Sequence, residues 1–70
     1  MIRKIRWVMV EVGDNASEDN AGNCTKFYSS GPTVKVTITN TLGKTTNVTL
    51  TKDGGTVTVC DDTGVATVED

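Results

Sequence analysis

The residues best able to make or break a covalent bond in this chain are two cysteines, Cys24 and Cys60. A disulfide closing roughly 36 residues stabilises a fold by about 3–4 kcal/mol in the chain-entropy model. In a reducing compartment the same two residues would remain buried thiols. They cannot complete a tetrahedral zinc shell, because the chain contains no histidine. We therefore predict a Cys24–Cys60 disulfide, with free thiols as the alternative, and no metal site.

Carboxylates are the other side chains that could bind a cation or move a proton. They cluster in two stretches, Asp14, Glu18 and Asp19, and then Asp61, Asp62, Glu69 and Asp70. Their spacing matches no calcium-binding loop, and aspartates in turns commonly bond to their own backbone. Nucleophilic catalysis needs an activated Ser, Thr or Cys beside a base, and the usual base, histidine, is missing. We predict no cofactor and no enzymatic activity.

Aromatic rings are the side chains best suited to anchor a partner, and the chain has three. Two of them end a polar stretch, residues 13–30, that shows no hydrophobic period. Loops longer than about 12–15 residues in compact domains are usually functional or disordered. We predict that residues 13–30 form a long loop that contacts a partner, or else a connector whose two rings pack in the core. The predicted contact residues are Trp7, Asp14, Glu18, Asp19, Phe27 and Tyr28.

The elements that must position these residues are β-strands, because threonine alternates with aliphatic residues through much of the chain. Residues 5–12 predict a strand that is apolar on both faces, as in the middle of a packed structure or at a subunit interface. After Pro32, alternation predicts four strands near residues 33–41, 45–51, 56–60 and 65–69. Their inward residues are Val34, Val36, Ile38, Val48, Leu50, Val57 and Val59. Glycine-containing turns join them as hairpins.

This order of elements predicts a small all-β domain of about five antiparallel strands: one strand, a long loop and a four-stranded meander. If the first strand lies beside the last, the sheet closes into a barrel without exposed edges. The order suits a Src-homology-3-like topology, and an open sandwich is the alternative. We expect residues 1–70 to form a single domain, because so short a chain cannot supply a second core.

Charge and length limit the classes of partner. The formal net charge is −2 and the pI is about 4.9, so no basic field attracts nucleic acid or an anionic membrane. No stretch approaches the ~20 apolar residues that a membrane helix needs. Domains this small often rely on a disulfide, a metal or a partner for stability. We therefore predict a protein partner or self-association, and neither nucleic acid nor membrane.

Two hypotheses for function follow from these exclusions. The first is a non-enzymatic protein-binding or assembly module, such as a small accessory structural protein or inhibitor; a virus or phage protein fits this size and threonine-rich composition. The alternative is a secreted or cell-surface domain, stabilised by the disulfide, that presents residues 13–30 to a protein or carbohydrate.

Overall fold

Seven β-strands make up the computed structural model, which describes all 70 residues. The strands are β1 (Ile2–Val12), β2 (Ala16–Ala21), β3 (Cys24–Ser29), β4 (Val34–Asn40), β5 (Thr45–Leu50), β6 (Thr56–Cys60) and β7 (Val65–Glu69). They form one antiparallel sheet in the order β2-β3-β6-β7-β1-β4-β5. The prediction of a small all-β domain is therefore confirmed. No helix is present that could cross a membrane.

The core is formed by alternate residues of the four strands that follow Pro32. Nine hydrophobic residues are buried together: Val34, Val36, Ile38, Val48, Leu50, Val57, Val59, Ala66 and Val68. The intervening residues, mostly threonine, face outward and keep some exposure. Full burial of one valine, leucine or isoleucine contributes about 1.5–3 kcal/mol, so this set is the main source of stability. The inward residues predicted on these strands are confirmed.

Strand β1 connects the two halves of the sheet. Its first part pairs with β7, its second part pairs with β4, and the register shifts at a bulge between Trp7 and Met9. A bulge adds one residue, so the inward side changes from odd to even positions. Trp7 packs against the core before the bulge and Val10 after it, while Met9 is 49% exposed. The prediction that this strand lies in the middle of a packed structure is therefore wrong, because Val8 and Met9 are exposed in the single chain; the alternative, a subunit interface, stays a prediction. The apolar residues on both faces reflect the bulge, which moves the inward positions from odd to even numbers.

Residues 13–30 do not form a loop. Most of them belong to a hairpin of β2 and β3, in which Ala21 pairs with Cys24 across the turn formed by Gly22 and Asn23. Gly22 has φ +63°, the positive value that a two-residue hairpin turn can require at its first central position. Pairing of β3 with β6 supports the hairpin. A polar edge strand has no hydrophobic period, which is why the sequence pattern does not reveal β2.

The predicted four-stranded meander is interrupted between β5 and β6, which are not neighbours in the sheet. Thr51 and Gly54 form an isolated bridge that closes the turn after β5. Gly55 follows with φ +91°, a backbone conformation that residues other than glycine rarely adopt. The chain then enters β6 on the other half of the sheet. Strands β2 and β5 lie at the two ends of the sheet, and each has a neighbour on one side only. The sheet is therefore open rather than a closed, five-stranded Src-homology-3-like barrel.

Candidate interaction surfaces

The predicted contact residues lie on two different faces of the sheet. Trp7 and Phe27 face inward, pack against the core and line an open cleft of about 210 Å³. The other residues of this apolar cleft are Val10, Val12, Thr25, Val59 and Asp61. The indole Nε1 of Trp7 is buried and has no hydrogen-bond partner. The two rings are thus largely core residues whose edges border a shallow apolar opening.

Tyr28 and Asp19 lie on the opposite, outward face. They line a groove of about 320 Å³ together with Lys26 and Lys52. Asp19 is directly opposite Lys26 in the β2–β3 pairing. The lining is mostly polar, so this outer groove offers charged and hydroxyl groups rather than an apolar anchor.

Glu18 and Asp14 complete the predicted set and belong to neither pocket. Glu18 is exposed and pairs with Phe27, and residues directly opposite each other share a face, so Glu18 lies on the inner side of edge strand β2. Asp14 is exposed in the turn before β2, next to Asn15, which has φ +74°. The structure therefore does not gather the five contact residues predicted within residues 13–30 at the tip of one loop.

The two cysteines form a disulfide between directly opposed positions of β3 and β6. The backbone N–H of Asp61 also donates to the carbonyl oxygen of Asn23, 2.9 Å away. The bridge and this hydrogen bond fix the tip of the β2–β3 hairpin to the end of β6. No group of three or more acidic, cysteine or histidine side chains is positioned to hold a metal ion.

A different surface, missed in the sequence, is the outer edge of β5. In an antiparallel pair, backbone groups point alternately toward the neighbouring strand and away from it. The N–H of Asn40 donates to the carbonyl of Lys44 at 2.9 Å, so the pair Asn40–Lys44 is hydrogen bonded. By alternation, the N–H and C=O groups of Thr45, Asn47 and Thr49 point away from β4.

A second hydrogen bond supports the same alternation from the other side of β4. The carbonyl of Lys35 accepts from the N–H of Gly13 at 2.9 Å, and so points toward β1. Thr49, which is opposite Lys35, must therefore direct its own backbone groups to solvent. We call the three donors and three acceptors of Thr45, Asn47 and Thr49 the open edge. All three residues are exposed.

The two edges of the sheet differ in their protection against further pairing. Natural edge strands are commonly blocked by charges, proline, bulges or inward-pointing charged residues. Strand β2 contains Asp19 and the inner-face carboxylate of Glu18. Strand β5 has the sequence TTNVTL, with no charge or proline, and its pairing with β4 has no bulge. Only β5 presents an edge that another strand could extend without meeting a charge.

The strand order explains why the sequence does not reveal this edge. Alternation identifies β5 as a strand but does not say which neighbours it has. β5 is at the end of the sheet because β1 lies between β7 and β4 and because β6 pairs with β3. The one available signal is the absence of charge from residues 45 to 50, which by itself favours an internal strand.

The chain matches no family model, no curated protein and no solved structure at a significant level, so its function must be argued from these surfaces.

Proposed function

We propose that this protein is a non-enzymatic protein-binding or assembly module that acts by adding an extended strand to the open edge of β5. The observation that carries the proposal is the unprotected row of backbone groups on Thr45, Asn47 and Thr49, in contrast to the acidic edge of β2. Strand addition obtains its affinity from main-chain hydrogen bonds and its specificity from alternate side chains.

The boundaries of the open edge define the segment that fits it. Lys44 precedes it, and the Thr51–Gly54 bridge closes its other end because Thr51 N–H donates to Gly54 O at 3.1 Å. About five residues of the partner can therefore pair at one time. The partner segment is extended, uncharged at its centre and free of proline, since a proline would remove a donor from the ladder.

Amide hydrogen exchange followed by NMR tests this proposal directly. In dilute protein, the amides of Thr46, Val48 and Leu50 should be protected, while those of Thr45, Asn47 and Thr49 exchange freely. A capped peptide of alternating threonine and valine should slow exchange at the open edge. The matched control is the same peptide with a central proline. If no such peptide, and no increase in protein concentration, protects these three amides, the proposal is wrong.

The disulfide favours a second candidate function, a secreted or cell-surface domain that presents the β2–β3 hairpin. The Cys24–Cys60 bridge and the Asn23–Asp61 hydrogen bond hold the hairpin tip in place, which preorganises it for a protein or carbohydrate partner. Intact mass with and without reductant, measured on protein from its native source, distinguishes the candidates. Two free thiols in that material would remove the oxidising compartment on which this second function depends.

A further inference from the structure

We propose that the strand which pairs with β5 is β5 of a second copy of the same chain, related by a two-fold axis at Asn47. This inference rests on the proposed function, in that the open edge is the binding surface, and it names the occupant. The outward residues of β5 read Thr45, Asn47 and Thr49, which is the same sequence in both directions. An isologous interface requires such self-complementarity.

The register follows from the backbone groups that are free. Antiparallel pairing about Asn47 places Asn47 opposite Asn47 of the second copy, and Thr45 opposite Thr49 of the second copy. Each of these three pairs exchanges two N–H···O bonds, which gives six bonds in all. A shift of the register by two residues leaves the backbone groups of one open-edge residue on each chain without a partner. The two-fold arrangement at Asn47 therefore uses every donor and acceptor of the open edge.

Side chains at the axis support the same arrangement. The Asn47 Oδ1 atom accepts a hydrogen bond from Thr37 Oγ1 at 2.9 Å, so its amide nitrogen is free to donate. Across the axis, each Asn47 amide nitrogen can donate to the remaining lone pair of the opposite Asn47 oxygen. Thr45 and Thr49 meet on the same face, and cross-strand threonine pairs are favourable.

Charge also favours this pairing over the corresponding one at the other edge. No charged residue lies between Thr45 and Leu50, and the two copies of Lys44 would be about 20 Å apart at ~3.4 Å per residue. That distance exceeds the screening length of ~8 Å at physiological salt. On β2, a two-fold axis at the centre of the edge would instead oppose two copies of Glu18, which is destabilising.

Sedimentation velocity over a wide range of protein concentration tests the inference. The expected result is a reversible monomer–dimer equilibrium with no larger species. Thr49→Pro removes one N–H donor per chain from the interface. At about 1 kcal/mol for each lost bond, the dimer dissociation constant should rise about 30-fold. Thr49→Ser keeps the N–H and serves as the matched control.

A second variant keeps the test decisive if Thr49→Pro does not fold. Asn47→Lys places two positive charges opposite each other at the axis, on an exposed position whose backbone groups point away from β4 and make no hydrogen bond to it. This variant should be a folded monomer, as judged by its circular dichroism and thermal transition. A dimer of Asn47→Lys as tight as the parent would overturn the assignment.

Cysteine cross-linking tests the register. Oxidation of Asn47→Cys with oxidised glutathione should link two chains, because hydrogen-bonded pairs have Cα atoms about 5.5 Å apart, within disulfide range. Thr45→Cys alone should not link, since its two copies lie about 14 Å apart at ~3.4 Å per residue. The double variant Thr45→Cys/Thr49→Cys should link again. Linking of Thr45→Cys alone contradicts the register.

The outcomes separate failure of this inference from failure of the proposed function. A monomer at every concentration whose open edge is still protected by the threonine–valine peptide overturns the inference and leaves strand addition intact. A monomer that no peptide protects overturns both. Species that grow beyond a dimer would show head-to-tail pairing of β5 with β2, which also overturns the two-fold arrangement.

Discussion

Phe27 and Tyr28 are adjacent in the chain but face opposite sides of β3. Phe27 packs against the core and lines the apolar cleft, whereas Tyr28 lines the outer groove. Truncation of Phe27 should therefore remove packing, and truncation of Tyr28 should not. We expect Phe27→Ala to lower the free energy of unfolding by about 3 kcal/mol, the low end for a phenylalanine because the ring is only partly buried. Tyr28→Ala should cost less than about 1 kcal/mol.

Urea denaturation followed by Trp7 fluorescence measures both variants with the same probe. Each is the other's control, since both remove one ring from the same strand. Equal losses for the two substitutions would contradict the assignment of faces. If Tyr28→Ala were the more destabilising, β3 would have to be displaced by one residue relative to β6, because such a slip exchanges the faces of every side chain.

At the scale of elements, the disulfide is the strongest single link between the β2–β3 hairpin and the rest of the sheet. Hairpin strand β2 contributes mostly exposed polar residues, so hydrophobic burial does little to hold it. We expect Cys24→Ala/Cys60→Ala to lower the free energy of unfolding by about 3–4 kcal/mol. After the conformational entropy of folding is subtracted, the core of so small a domain leaves a net stability of only about 3–5 kcal/mol, so the variant should be close to unfolded at room temperature.

Reduction of the unmodified protein is the matched control for this variant, because it opens the same bond without changing a residue. Both should shift the urea midpoint by the same amount. A double variant within about 1 kcal/mol of the parent would contradict the role assigned to the bridge. It would imply that pairing of β3 with β6 through Thr25, Lys26 and Phe27 suffices.

The elements also show how much of the fold and the candidate site the sequence could predict. Alternation predicts β4 to β7, and the inward residues of β4, β5 and β6, because burial on one face imposes a period of two. It does not predict β2, because the exposed polar residues of that strand have no hydrophobic period. It also does not predict the bulge after Trp7, because a strand whose inward positions change at a bulge has the same sequence pattern as a strand that is apolar on both faces. The open edge of β5 could not be predicted, since it depends on which strands become neighbours.

At the scale of the whole molecule, the two chain ends meet at the pairing of β1 with β7. The N–H of Asp70 donates to the carbonyl of Met1 at 3.1 Å, and Arg3 Nη2 is 3.0 Å from Asp70 Oδ2. This ion pair is exposed and contributes little to stability, but it shows how near the ends are. A short glycine linker from Asp70 to Met1 can therefore close the chain, which allows it to be opened elsewhere.

The position of the new opening should decide whether the closed chain folds. Opening between Leu42 and Gly43 affects an exposed turn in which four hydrogen bonds involve Asn40, two to its backbone and two to its side-chain oxygen. At about 1 kcal/mol each, we expect the free energy of unfolding to fall by at most about 4 kcal/mol if all four are lost. Opened between Val8 and Met9, the closed chain should not fold, because β1 is the strand that joins the β7 half to the β4 half. Circular dichroism and urea titration of the two permutants measure the difference. A stable fold from the second would show that core packing alone holds the halves together and that β1 need not be continuous.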